Sequence, residues 1–150
     1  MINYIKKYHV YFWIILVISL VLSDYYFKNK YKRLYRSEAE YAIGKVEKIE
    51  GYGRGTGFNF VYIFEVNRKV YKSKCDVGNL IFQKAETHKG KTFLVLYLKN
   101  DVYVNRLYTS IPVSANLSEK QLKNLIRNDK NIQKKLNDIP SGSWFWENYF

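Results

Sequence analysis

Cys75 and His88 are the one thiol and the one imidazole in the chain beyond Leu22, so a cysteine nucleophile activated by a histidine base is the first chemistry to weigh. No third group at a readable spacing orients the histidine. Cys75 closes a strand-like pattern in which it reads equally well as a small buried apolar residue, and a lone cysteine forbids an internal disulfide. The glycine string Gly51-Tyr52-Gly53-Arg54-Gly55-Thr56-Gly57 invites comparison with phosphate-cradling loops, yet it lacks the Gly-Lys-Ser/Thr ending and opens no helix. It predicts a hairpin loop, with Arg54 at the tip facing any anionic partner. The carboxylates Glu38, Glu40, Glu47, Glu50, Glu65, Asp76, Glu86 and Asp101 show no spacing that pairs them for acid–base work. No zinc or paired-metal motif occurs. The expectation is a protein with no catalytic residues, no cofactor and no metal, so the elements that carry these side chains become the informative part.

The first of them is the run VYFWIILVISLVL from Val10 to Leu22, without a charge. Crossing a hydrocarbon core of about 30 Å takes about 20 residues, and the flanks extend the run to that length. Tyr4, Tyr8, Tyr11 and Trp13 stand at one end and Tyr25, Tyr26 and Phe27 at the other, where amphipathic rings settle at lipid–water interfaces. Val, Ile, Leu and Phe between Val10 and Leu22 favour insertion by about 3 to 6 kcal/mol at most. Residues 1–27 therefore read as a transmembrane anchor, with Tyr8, Trp13, Tyr25 and Tyr26 as its interfacial residues. A cleaved signal peptide, with Lys6 and Lys7 as its charged start and a cut near Val21-Leu22-Ser23, is the competing reading. Against it stands the basic cluster Lys28, Lys30, Lys32, Arg33 and Arg36, which resists translocation. The same cluster outweighs Lys6 and Lys7 and so predicts a cytoplasmic soluble domain.

After a basic juxtamembrane stem, 28–38, the remaining chain suffices for one small domain. Its Tyr and Phe content suits half-buried strands. Strands are expected at Tyr41 to Glu50, at Phe58 to Val66 with Phe58, Phe60, Tyr62, Phe64 and Val66 on one face, and at Lys69 to Lys74 after an Asn67-Arg68 tight turn. A further strand, Thr92 to Leu98, is apolar on both faces and reads as central. Asn100-Asp101 makes a turn, and Val102 to Val113 offers one or two short strands before Pro112. The β domain, 39–116, is predicted to be an antiparallel sheet or small partly open barrel, giving a mainly β fold with helices.

At 117–137 the pattern changes. Ser118 and Gln121 form a capping box, and Leu117 and Leu122 a hydrophobic staple. One amphipathic helix from Ser118 to Leu136 follows, with Leu122, Leu125, Ile126, Ile132 and Leu136 on a narrow stripe. Lys120, Lys123, Arg127, Lys130, Lys134 and Lys135 occupy the rest. An aromatic tail, 138–150, holds Trp144, Phe145, Trp146, Tyr149 and Phe150. The net charge of +12 permits nucleic acid or anionic lipid as partner. The anchor favours lipid, and the aromatic residues are needed for the core, which argues against a single-strand nucleic-acid platform. Lys28, Lys30, Lys32, Arg33, Arg36, Lys123, Arg127, Lys130 and Lys134 are the candidate anionic-surface contacts, each contributing about 1 kcal/mol near an anionic leaflet. Packing of the helix stripe on the sheet competes with insertion of that stripe into lipid.

From about Ala39 to Val113 the chain resembles a widespread bacterial family of small membrane-tethered β domains of unknown function. The resemblance rests on Ala42-Ile43-Gly44-Lys45-Val46, Tyr62-Ile63-Phe64-Glu65-Val66, Val70-Tyr71, and Gly90 before Val95-Leu96-Tyr97. Two features depart from it. Leu98-Lys99-Asn100-Asp101 replaces a proline-containing turn, and a charged amphipathic helix stands where a second transmembrane helix is common. The resemblance implies a bacterial cell-membrane protein and no catalytic residues. The expected role is a non-enzymatic single-pass membrane protein whose β domain is an interaction or accessory module for a protein partner, such as an immunity or regulatory subunit. The alternative is an anionic-lipid surface sensor.

Overall fold

The computed structural model describes residues 2–51, 57–77 and 80–137. Helix α1 runs without a break over Ile2–Glu38, about 55 Å at the usual rise. Strand β1, Ala39–Gly51, follows at the very next residue. The basic stem is therefore not a separate linker: its residues are the last turns of the same helix. The apolar part of α1 has mean hydropathy 1.8 and is not buried in the protein, so by length and composition α1 can cross a membrane.

The sheet contains β1, β2 (Phe58–Val66), β3 (Lys69–Asp76), β4 (Thr92–Leu98) and β5 (Asp101–Pro112). All neighbours are antiparallel, in the order β3-β2-β1-β4-β5. The strands at Phe58 and Thr92 have the expected bounds, whereas β1 starts two residues earlier than Tyr41 and Val102 to Val113 yields a single long strand. At the β2–β3 turn Asn67 and Arg68 both take positive φ, 53° and 65°, the backbone that matches strand twist in a two-residue hairpin. A bulge falls between Val46 and Lys48 against β2. There β1 leaves β4, its last contacts being Val46 N–H to Lys91 O and Gly90 N–H to Val46 O. Bulges increase local twist, and the sheet curls into a half-barrel that brings its edge strands β3 and β5 together.

Curling divides the apolar residues into two sets. Phe60, Tyr62, Phe64 and Val66 point inward with Ala42, Val46, Phe93, Val95 and Leu107. Gly44 sits where Val95, Leu107 and Tyr62 converge, and a Cβ there would collide with Val95. Leu94, Leu96 and Tyr108 point outward under the C-terminal helices. β4 is buried on both faces, as expected from its composition, although β1 rather than β4 holds the middle of the sheet.

The C-terminal segment is two helices, not one: α3, Glu119–Asn128, and α4, Lys130–Asn137. The capping box at Ser118 and Gln121 forms. The break comes at Asp129, whose backbone is extended and whose carboxylate accepts from the N–H groups of Asn131 and Ile132. Ending one helix lets the next turn its own apolar side to the sheet, so Leu122, Ile126, Ile132 and Leu136 are all buried in the outer cluster while Leu125 stays exposed. A further short helix, α2 over Phe82–Glu86, lies in a stretch where no element was expected.

Candidate functional site

The last turns of α1 join its apolar part to the β domain through one packed turn. Leu34, Tyr35 and Glu38 lie on the domain side of α1, with Tyr35 against the outer core cluster. Lys99 N–H donates to the carbonyl of Glu38 at 3.1 Å, and the Asn100 side-chain amide donates to its carboxylate at 2.9 Å. At 100° per residue Lys32, Arg33 and Arg36 fall on the opposite side, and they are exposed together with Lys30. The docked turn thus fixes which side of the helix carries the cations. In the apolar part Trp13, Tyr25 and Tyr26 are exposed, and Trp13 Nε1 donates to His9 Nδ1. Tyr8 and Lys28 have backbone places in α1, but their side chains lie outside the described ones.

Of the predicted cations on the C-terminal helices, Arg127, Lys130 and Lys134 are exposed. Lys123 is engaged: its ammonium lies 3.0 Å from the carboxylate of Glu40, and this hydrogen bond raises its pKa. The pair ties α3 to the start of β1. On either side of it runs a groove between α3 and the outer face of β1 and β2. One end, about 660 Å³, is lined by Ile43, Lys45, Ile63, Arg68, Val70 and Leu117 among others. The other, about 480 Å³, is lined by Ile126, Arg127, Gln133, Leu136 and Asn137, with Lys123 and Glu40 at its wall. Tyr41 belongs to both, and its pKa is raised by burial and then by the charge of Glu40. The groove escaped sequence reading because its walls come from strands and a helix about 80 residues apart. The signal available was Ile63, a half-buried apolar residue on the face of β2 opposite Phe60, Tyr62 and Phe64.

Cys75 and His88 are not joined. Cys75, on β3, is half-buried, and burial pushes its thiol up to about 12, with Arg106 and the Leu107 backbone opposing. A nucleophile needs the opposite shift. His88 stacks on Phe93 and also contacts Phe60, while its Nδ1 lies 3.0 Å from the carbonyl of Lys84. Both read as packing residues at the inner cluster. Among the described residues no group of His, Cys, Asp and Glu could hold a metal ion. Arg54 and the rest of the loop tip 52–56 lie outside the described residues, as does the aromatic tail 138–150.

The chain matches no family model, no curated protein and no solved structure. Its own geometry is what remains, and one polar constellation in it was not foreseen. Tyr62, fully buried on β2, donates its hydroxyl to Asn105 Oδ1 on β5, and Asn105 Nδ2 donates to the carbonyls of Val102 and Tyr103. Burial raises the Tyr62 pKa, the nearby Cys75 adds to the effect, and a Ser73 hydrogen bond opposes it. The rings of Tyr71 and Tyr103 meet at 5.7 Å along the same seam. Every polar atom of the Asn105 side chain has a partner, so the constellation closes the half-barrel and offers no free group to a ligand. Asn105 was legible only as the lone amide among inward positions of β5.

Proposed function

We propose that this chain is a single-pass membrane protein of the bacterial cell membrane whose half-barrel is a non-enzymatic interaction module held against the bilayer. The observation that carries the reading is the continuity of α1. Its apolar residues from Val10 to Leu22 are exposed around the helix, and its last turn is built into the domain through Tyr35 and Glu38. A helix apolar on every side has no polar face for water and suits lipid. About eleven helical residues after Phe27 then set the domain about 16 Å from the span, roughly 10 Å beyond the headgroup layer. Two cations before the span against five after it give the domain a cytoplasmic side. The protein partner, whether a toxin-like target or the enzyme of which this is a regulatory subunit, meets the outer sheet face.

Retention in alkali-washed membranes with release only by detergent is the expected behaviour, together with a mature N-terminus that precedes Ser23. A protein recovered from buffer alone, or one beginning after Ser23, overturns the anchor. Labelling of Ser37→Cys in a Cys75→Ser background by an impermeant maleimide tests the side: reaction in lysates but not in whole cells is expected.

A second role is favoured by the exposed face of Lys32, Arg33 and Arg36, which supports attraction to anionic headgroups. With the stripe of α3 and α4 packed on the sheet, these helices contribute through surface electrostatics, and such binding to anionic vesicles falls steeply with salt.

A further inference from the structure

Along one side of α1 runs a shallow groove of about 470 Å³, lined by Ile15, Ser19, Leu22, Ser23 and Tyr26 among others. Ser19 and Ser23 leave it open, since their side chains fill less of the helix surface than the aliphatic residues beside them. From Ile15 to Tyr26 the groove is about 16 Å long, which matches the hydrocarbon depth of one leaflet, about 15 Å. At 100° per residue Ile15, Ser19, Leu22, Tyr26, Lys30 and Arg33 fall within about 80° of one another around the axis. The groove therefore leads to two cations. Both are exposed, and they follow Phe27 by about 5 and 9 Å along the helix. The headgroup layer is about 5 to 7 Å deep, so the flexible ends of Lys30 and Arg33 reach its phosphates.

We propose that this groove holds an acyl chain of one anionic phospholipid, whose phosphate is bound by Lys30 and Arg33 with the Tyr26 hydroxyl beside it. Charge favours that occupant. A guanidinium pairs with phosphate through two parallel hydrogen bonds, and a lysine adds a point charge. Asp24, the one carboxylate of α1 before Glu38, falls about 120° from Lys30 and about 180° from Arg33 around the helix. The face is also left open by the domain, which packs on Leu34, Tyr35 and Glu38. Tyr26 stands edge-on to the ring of Phe27 at 5.7 Å, at the level where tyrosines settle between hydrocarbon and headgroups. The consequence is a discrete lipid site on the anchor, separate from the diffuse attraction of the basic stem. This deepens the proposed function and rests on α1 spanning the bilayer.

The test uses the full chain in mild detergent, with phosphatidylglycerol and phosphatidylcholine of equal chain length added in equal amounts and retained lipid read by native mass spectrometry. One phosphatidylglycerol per chain is expected, favoured several-fold over phosphatidylcholine. Lys30→Gln with Arg33→Gln abolishes that preference, while Lys32→Gln with Arg36→Gln, the same change of charge on another side of the helix, leaves it in place. Ser19→Leu, which fills the groove and keeps every cation, lowers phosphatidylglycerol retention several-fold. Should the Lys30 and Arg33 variant shift the unfolding transition of the domain, Ser19→Leu within the span carries the test. Equal retention of the two lipids, equal loss in the two double variants, or full retention by Ser19→Leu overturns the proposal. Each of these leaves retention in alkali-washed membranes, the test of the anchor, unaffected, whereas a chain free in buffer removes anchor and lipid site together.

Discussion

Helices α1 and α3 are both built from Leu and Ile among lysines, and they use those residues in opposite ways. Between Val10 and Leu22 of α1, residues as far apart around the helix as Ile15 and Val17 are 66% and 55% exposed. In α3 Leu122 and Ile126 are 2% and 8% exposed, Lys120 and Arg127 face away from them, and Lys123 flanks them in its pair with Glu40. The difference lies in how apolar residues are distributed around the axis. A stripe can be buried against one sheet, whereas a full girdle needs an apolar environment on all sides. The same chain thus carries a helix that completes a water-soluble core and one that the core has no room for.

The comparison breaks most visibly if equal truncations have equal effects. Leu122→Ala should destabilise the domain by about 2 to 5 kcal/mol, read as a lower unfolding temperature of the detergent-solubilised protein, while Ile15→Ala leaves that transition in place. Equal shifts would mean that α1 is packed against protein. Next in size, Val17→Arg places a charge at the span centre at a cost of about 2.5 to 3.5 kcal/mol, comparable with the whole gain on insertion. Its expected result is loss of the protein from alkali-washed membranes with the domain still folded. Within the domain, Asn105→Leu leaves the buried Tyr62 hydroxyl without its acceptor and should cost about 1 to 3 kcal/mol, whereas the double change with Tyr62→Phe recovers part of that loss. Asp129→Ala removes the carboxylate that caps α4 and should cost about 1 kcal/mol, read as a smaller drop in the same transition.

The smallest effect concerns the exposed ion pairs of Glu50 on β1 with Lys48 on the same strand and Lys74 on β3. Glu50 accepts from Lys48 and Lys74, and these hydrogen bonds lower its pKa from 4.5 to about 2. A carboxylate whose folded pKa is depressed contributes stability above the unfolded value and loses it as pH falls through the folded one. The contribution is therefore present above about pH 4.5 and gone below about pH 2, and it is small because the group is open to solvent. Glu50→Gln should lower stability slightly near neutrality and flatten the acid limb of the profile, the two proteins converging below about pH 2.

The parts of the fold that were legible share a local cause. Phe58 to Val66 and Thr92 to Leu98 were placed to the residue because alternating or doubly apolar strands end at turn formers. The capping box at Ser118 was legible because both of its partners lie within one turn of helix. What was missed has nonlocal causes. Asp129 reads as one more polar residue on a helical face until the sheet demands a change of direction there. The five residues of α2 are too few for periodicity. Of the candidate site, the exposed cations were legible one by one, but the ion pair of Lys123 with Glu40 and the groove beside it depend on which face of which strand α3 covers.

By itself the sequence determined that one helix is long and apolar enough to cross a membrane and that a small antiparallel β domain with a capped basic helix follows it, since hydrophobic period and turn chemistry act over a few residues. Only the tertiary structure decided that β1 holds the middle of the sheet, that the edges meet over Tyr62 and Asn105, and that α1 enters the domain without a hinge. Those outcomes rest on contacts between residues far apart in the chain, where the energy of closing one arrangement rather than another is set by packing and by the pairing of buried polar groups.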